Sequence, residues 1–134
     1  MITAFDADVL IYAASDHPLG RRVAQLFDGD SGEAGKIGSV LLLPEVLIKP
    51  LRTAASQQEA ERLFGLLSRL RLIAFDQQTS ALAVSLAVKY GLKSLDAAHL
   101  ATAVVGGADR FLTNNSKDFT QGIAEIDIVY PEQV

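Results

Sequence analysis

Ile2 to Phe5 is a short apolar run at the start of the chain and predicts a strand. After Asp6-Ala7-Asp8, a second run from Val9 to Ala14 fits either a continued strand or a buried helix; the Ala13–Ala14 pair favours the helix. Ser15-Asp16-His17-Pro18 breaks it. From Arg21 to Phe27, apolar Val23, Ala24, Leu26 and Phe27 stand against Arg21, Arg22 and Gln25, the pattern of an amphipathic helix. Residues 28–35 read as a polar, glycine-rich loop. Ile37 to Leu43 is β-branched and Leu-rich, which predicts a strand buried on both faces.

Pro44 is expected to open the next helix, with Val46, Leu47, Ile48 and Leu51 on it. Ser56 to Leu70 carries Ala60, Leu63, Phe64, Leu66 and Leu67 at helical spacing. Arg71 to Phe75 predicts a short strand. Asp76 then caps a helix that runs to Tyr90 and stops at Gly91. Ser94 is expected to cap another, ending at Gly106-Gly107. Arg110 to Leu112 and Ile126 to Tyr130 predict the last two strands, the second stopped by Pro131. Strands alternate with helices throughout, so the expected class is α/β, with a mainly parallel sheet covered by helices on both faces. The chain shows no internal repeat, linker or low-complexity segment.

Composition narrows the function classes. The 134 residues suit one domain, 1–134, of ordinary globular composition, 49% hydrophobic and 21% charged. Without cysteine there is no disulfide framework, thiolate zinc site or cysteine nucleophile. Two histidines, His17 and His99, make a His-rich metal site improbable. With a net charge of −4, nucleic-acid binding would need locally concentrated basic groups. No apolar run reaches the roughly 18 residues of a membrane span. The N-terminus lacks the basic region of a signal peptide. The expectation is a soluble, cytoplasmic protein without a membrane role.

Most of the sixteen acids read as solvated surface. Asp6 does not, because it ends the first strand. Glu45 lies just past the second strand, and Asn115 and Asp118 follow the strand ending at Leu112. Ligands bind outside the carboxyl ends of parallel strands, so three distant segments bring oxygen donors to one edge. Asp96 stands in Leu95 to Val105, a stretch whose only polar residues are Asp96, His99 and Thr102. A helix without a polar face is a buried helix. An ionised carboxylate there needs either a cation or the free amides of the first turn. Together these positions form an all-oxygen set suited to Mg²⁺ or Mn²⁺ rather than Zn²⁺. Such an ion typically works on phosphates, and two ions can activate water and stabilise a leaving oxygen.

Four stretches, in order, resemble the PIN-domain ribonucleases, and more narrowly the VapC-type toxins of bacterial toxin–antitoxin pairs. They are Phe5-Asp6-Ala7-Asp8-Val9-Leu10-Ile11, Ser39 to Val46 around Pro44-Glu45, Ser94 to Ala103 around Asp96, and Phe111-Leu112-Thr113-Asn114-Asn115-Ser116-Lys117-Asp118-Phe119. The resemblance implies a PIN-like three-layer domain with a four- to five-stranded sheet. It implies Mg²⁺ or Mn²⁺ held by Asp6, Asp96 and an acid of the fourth stretch, Asp118 here, with Glu45 lining the site. Thr113 would fix the Asp6 carboxylate or a substrate phosphate. It further implies endonucleolytic RNA cleavage by metal-activated water, an antitoxin partner and a homodimer. Many family members carry an acid where this chain has Asn115, which leaves open whether one ion binds or two.

Other readings of single residues accompany this one. Asp8 is a ligand or, more simply, the cap of the first helix. Glu45, Lys49 and Arg52 share a helix face; they either grip RNA or form an ordinary Glu45–Lys49 pair. Lys93, Arg110 and Lys117 are candidate sources of local positive charge. His99 is a proton shuttle or, more simply, a hydrogen-bonded structural histidine. Val23, Leu26, Phe27, Leu47, Ile48 and Leu51 form core or a partner groove. Two alternatives to the nuclease stand: a non-catalytic PIN-like RNA- or protein-binding module, motivated by Asn115, and a phosphatase of haloacid-dehalogenase type. The phosphatase would use Asp6 as nucleophile and Asp8 as acid/base, but Val9 replaces the glycine usual there.

Overall fold

The computed structural model describes residues 1–28 and 35–134. The loop expected over 28–35 falls, apart from its two ends, outside the described residues. The elements run β1 (Thr3–Phe5), α1 (Ala7–Ala14), α2 (Gly20–Gln25), β2 (Lys36–Ser39), α3 (Leu42–Leu51), α4 (Gln57–Leu67), β3 (Arg71–Ile73), α5 (Gln77–Tyr90), α6 (Ser94–Val105), β4 (Arg110–Leu112) and β5 (Asp127–Val129). Single turns of 3₁₀ helix at Ala54–Ser56 and Pro131–Gln133 complete the order.

The five strands form one sheet in the order β3-β2-β1-β4-β5, and every pairing is parallel. Side chains alternate across it. Ala4, Ile37, Phe111 and Ile128 point into a core shared with Leu86, Leu100 and Ala101 of α5 and α6. Phe5 and Leu112 point the other way, into a core with Leu10, Val23, Leu42 and Leu63 of α1 to α4. Each fully buried Leu or Phe side chain contributes roughly 1.5–3 kcal/mol. Strands of three or four residues are therefore held as much by helices on both faces as by their ladders. No helix among the described residues is long and apolar enough to cross a membrane.

Helix boundaries follow local chemistry. The Asp76 carboxylate accepts from the Thr79 amide at 2.8 Å and its hydroxyl at 2.7 Å, and Gly91 ends α5 with φ +68°, as expected. Three expected boundaries are corrected. The strand expected through Leu43 ends at Ser39: the Ser39 hydroxyl accepts from the Leu41 amide at 3.1 Å, and the chain turns into α3. The apolar run continues because Leu42 and Leu47 serve the core from a helix. Pro44 accordingly sits in the third helical position rather than the first, where its missing N–H still lacks an intrahelical partner. Ser94 is the first helical residue of α6, and extended Lys93 occupies the cap position without a side-chain cap bond.

Helices α1 and α2 meet at Gly20, where an added Cβ would lie 1.9 Å from the Tyr12 carbonyl oxygen. Gly20→Ala is expected to destabilise the fold by about 3 kcal/mol, the upper part of the overpacking range. Gly65, in α4, has open space around its Cβ position, so Gly65→Ala is expected to stabilise by roughly 0.5–1 kcal/mol. Urea unfolding of both variants measures this; equal, small effects would show that the α1–α2 approach carries no strain limit.

Candidate active site

The order β3-β2-β1-β4-β5 reverses direction at β1, so the crevice outside the carboxyl ends of β1 and β4 is the sheet's switch point. Phe5 and Leu112 are register partners there. The next residue on each strand is therefore a neighbour: Asp6 and Thr113. The buried Thr113 hydroxyl donates to Asp6 Oδ2 at 2.7 Å, and the Ala7 amide donates to Asp6 Oδ1 at 2.8 Å. Asp6, not Asp8, is thus the cap of α1. Asp8 lies inside the first turn, where its Oδ2 accepts from the Asn114 amide at 3.1 Å. Its Oδ1 is buried with no hydrogen-bond partner.

Helix α6 runs beneath this edge. Ala97 to Ala103 are all buried, as an all-apolar helix requires, and Asp96 stands half-buried in the first turn. The simpler reading of Asp96, that it binds the free amides of its own helix, is not what the structure shows: no described residue donates a hydrogen bond to its carboxylate. His99 follows one turn later, and its Nε2 lies 2.5 Å from Glu45 Oε1 of α3. This is the hydrogen-bonded histidine expected from sequence, with a partner 54 positions away. Beyond β4, the Asn115 amide group donates to Asp118 Oδ2 at 3.0 Å, and Asn115 Oδ1 accepts from the Asp118 amide at 3.3 Å. The Asn115 amide in turn donates to the Thr113 hydroxyl oxygen at 3.0 Å, tying the loop to Asp6.

The acids of this edge act on one another electrostatically. Burial pushes the Asp6 carboxyl up, and the Asp96 charge adds to this; Thr113, His99 and the Ala7 amide offset part. Burial and the Asp6 charge raise Asp8 to about 7. Asp96 is raised by burial first, then by the charges of Asp118 and Glu45, with His99 and Lys93 opposing. Like charges are thus held together, mostly by neutral donors. Among the described residues, no three Asp, Glu or His side chains close around one point as a finished metal cage. Mg²⁺ keeps several waters and needs only one or two carboxylates, so an open oxygen set with an unpartnered buried carboxylate oxygen fits such an ion.

The basic candidates divide. Lys93 and Lys117 are exposed beside Asp96 and Asp118. Lys49 lines a cleft of about 180 Å³ with Glu45 and Glu59, and exposed Arg52 is the residue just past α3. The expected Glu45–Lys49 pair is replaced by the Glu45–His99 contact. Arg110 belongs elsewhere: it begins β4 at the opposite edge of the sheet and bonds the Thr3 hydroxyl at 2.8 Å. Of the proposed groove stripe, Val23, Phe27 and Leu47 are core, whereas Ile48 and Leu51 are exposed. Sequence reasoning missed Asn114, which contacts Asp8 through its amide and Tyr12 through its side chain, because only the α1–β4 approach brings them together.

Folding raises the Asp8 pKa, so the native state binds this proton more readily than the unfolded chain. The group's stabilisation is complete below the ordinary carboxylate range and is lost as pH rises through about 7. Metal-free protein is expected to lose about 1 kcal/mol from this group between pH 6 and pH 8. Asp8→Asn, which can still accept from Asn114, should remove that loss. Thermal melts in chelator at the two pH values measure it, and an unchanged difference in the variant would assign the effect to other acids.

Comparison with known proteins agrees with this architecture. A toxin–antitoxin complex from Klebsiella pneumoniae contains a chain 28% identical, covering 96% of this chain and 97% of that one, with a TM-score of 0.74. The DNA-bound VapBC complex from Salmonella typhimurium matches at 18% identity and TM-score 0.78, covering 98% of each chain. The sarcin–ricin-loop-cleaving VapC toxin from Mycobacterium tuberculosis matches at 12% identity and TM-score 0.69, covering 93% of this chain and 98% of that one. No curated protein matches the sequence. The PIN domain family model matches residues 4–122, which span every acid of the crevice, and the chain belongs to the PIN domain family.

Proposed function

We propose that the protein is a metal-dependent endoribonuclease, acting in the cytoplasm as the toxin of a toxin–antitoxin pair. The observation that carries the reading is the meeting of Asp6, Asp96, Glu45 and Asp118 at the switch point of a PIN fold, where the charges of neighbouring acids raise Asp6 and Asp96 and neutral groups supply the hydrogen bonds to Asp6 and Asp118. The toxin–antitoxin assignment is supported by the Klebsiella pneumoniae neighbour. The cleaving of RNA by the Mycobacterium tuberculosis neighbour supports the substrate class.

In this reading Asp6 and Asp96 hold Mg²⁺ or Mn²⁺, and Glu45 and Asp118 line the same site. When bound, the ion supplies an activated water and charge stabilisation at the scissile phosphate. The chain's own residues do the rest. Thr113 fixes the Asp6 carboxylate, and Asn115 fixes Asp118. Lys93, Lys117, Lys49 and Arg52 meet RNA phosphates around the rim, the local concentration of positive charge that an acidic chain requires. The PIN domain match, which includes Asp6-Ala7-Asp8, supports the nuclease reading over the phosphatase one. The binding-module reading rested on Asn115, whose amide is engaged in holding an acid.

The homodimer belongs to the same proposal. Val88 is 82% exposed and Val84 63%, beside a hollow of about 470 Å³ lined by Leu41, Phe75, Ala83 and Leu95. Exposed apolar surface of this kind marks an interaction face.

Two measurements test the proposal. Antitoxin-free protein with Mn²⁺ should cleave RNA, and Asp6→Asn or Asp96→Asn should each reduce cleavage at least about 100-fold while remaining folded, as expected for loss of a group acting in the transition state. Cleavage surviving both substitutions would place the chemistry elsewhere or in a contaminant. For the dimer, Val88→Glu should shift the mass measured by light scattering from dimer to monomer; a wild-type monomer overturns that part.

A further inference from the structure

We propose that His99 is a positioning residue of the crevice: its Nε2–H holds the Glu45 carboxylate at the edge of the acid cluster and so ties α3 to α6. This rests on reading the acids as an ion site. Glu45 has reason to leave that edge. Its side chain keeps 30% exposure, and Asp96 repels it, so an unrestrained carboxylate would swing towards water. His99 cannot follow it outward, because its side chain is only 1% exposed and the helix around it is buried from Ala97 to Ala103. The 2.5 Å contact therefore fixes the carboxylate to a rigid point.

The roles of the two ring nitrogens follow. A carboxylate only accepts, so Nε2 carries the hydrogen. Nδ1 is buried without a hydrogen-bond partner among the described residues. Glu45 is thus the only polar partner of the ring among the described residues. Asp96 and His99 lie three positions apart on one helix, so α6 carries both an ion-facing acid and the group that places the acid of α3 beside it. The sequence shows the Asp96–His99 spacing but not what the imidazole faces.

The test is Mn²⁺ titration by calorimetry without RNA, on wild type, His99→Phe, Glu45→Ala and the double variant, with melting curves to confirm folding. His99→Phe keeps the ring volume and removes the donor. It is expected to weaken Mn²⁺ binding roughly 10-fold, as loss of a ligand's hydrogen-bond partner does. Glu45→Ala should weaken binding at least as much, and the double variant no further. His99→Gln, which retains a donor, should recover most of the loss. Should Phe unfold the protein, His99→Met replaces it in the cycle. Unchanged binding in His99→Phe overturns the proposal, as does an equal loss in the Glu45→Ala background. If wild type binds no Mn²⁺, the ion-site reading fails and this role falls with it, an outcome distinct from the first two.

Discussion

The Asp6 carboxylate lies buried at the carboxyl end of the central strand, between the first amide of α1 and the hydroxyl of Thr113. Removing an ionised carboxylate from water is costly, and two hydrogen bonds recover only part of the cost, as its raised pKa shows. The surrounding structure is what makes this arrangement possible. Strands β2 and β4 flank β1, and the Phe5–Leu112 register delivers Thr113 to the carboxylate. A slip of one residue in that ladder would exchange the core faces of both strands and separate the pair. The packing of Phe5 and Leu112 on one face, with Ala4 and Phe111 on the other, therefore also sets the geometry of the acid.

The compensation around the crevice is of a particular kind. Thr113, the Ala7 and Asn114 amides and the Asn115 side chain stabilise carboxylates as neutral donors, and the N-terminus of α1 adds only a partial positive charge. They orient the oxygens without cancelling their charge. A lysine or arginine inserted among them would stabilise the fold more and leave nothing for a metal ion to neutralise. The raised Asp8 and Asp96 carboxyls record the same imbalance. Stability given up at this edge is what an ion-binding function would draw on.

Much of this was legible before the fold was known, for identifiable reasons. The α5 boundaries follow from Asp76 and Gly91, whose capping chemistry is local. The buried course of α6 follows from its lack of a polar face. The edge to which Asp6 and Asp118 come follows from the ends of β1 and β4, whereas Asp96 stands out through the apolar helix around it and Glu45 lies inside α3, past a strand that ends at Ser39. What was not legible is whatever depends on a contact between distant segments. The apolar run from Ile37 to Leu43 hides a change from strand to helix, because both elements bury the same residue types. The capping preference of aspartate applies equally to Asp6 and Asp8; in the fold α1 begins at Ala7, so Asp6 caps it while Asp8 accepts from Asn114 across the crevice. The partner of His99 is chosen by how α3 lies across α6.

Asn115 shows why one departure from the family pattern need not weaken the crevice. An aspartate there could not donate to Asp118 Oδ2 and would set another negative charge against it. The asparagine instead clasps Asp118 twice, through its amide group and its carbonyl oxygen, while its backbone amide donates to Thr113. Asp118, three residues along the chain, is the carboxylate braced there. Charge count and orientation are traded against each other: one carboxylate fewer, but the remaining one fixed to the strand that positions Asp6. In a crevice already crowded with like charges, that exchange favours a single, well-ordered set of oxygens over a larger and more mutually repelling one.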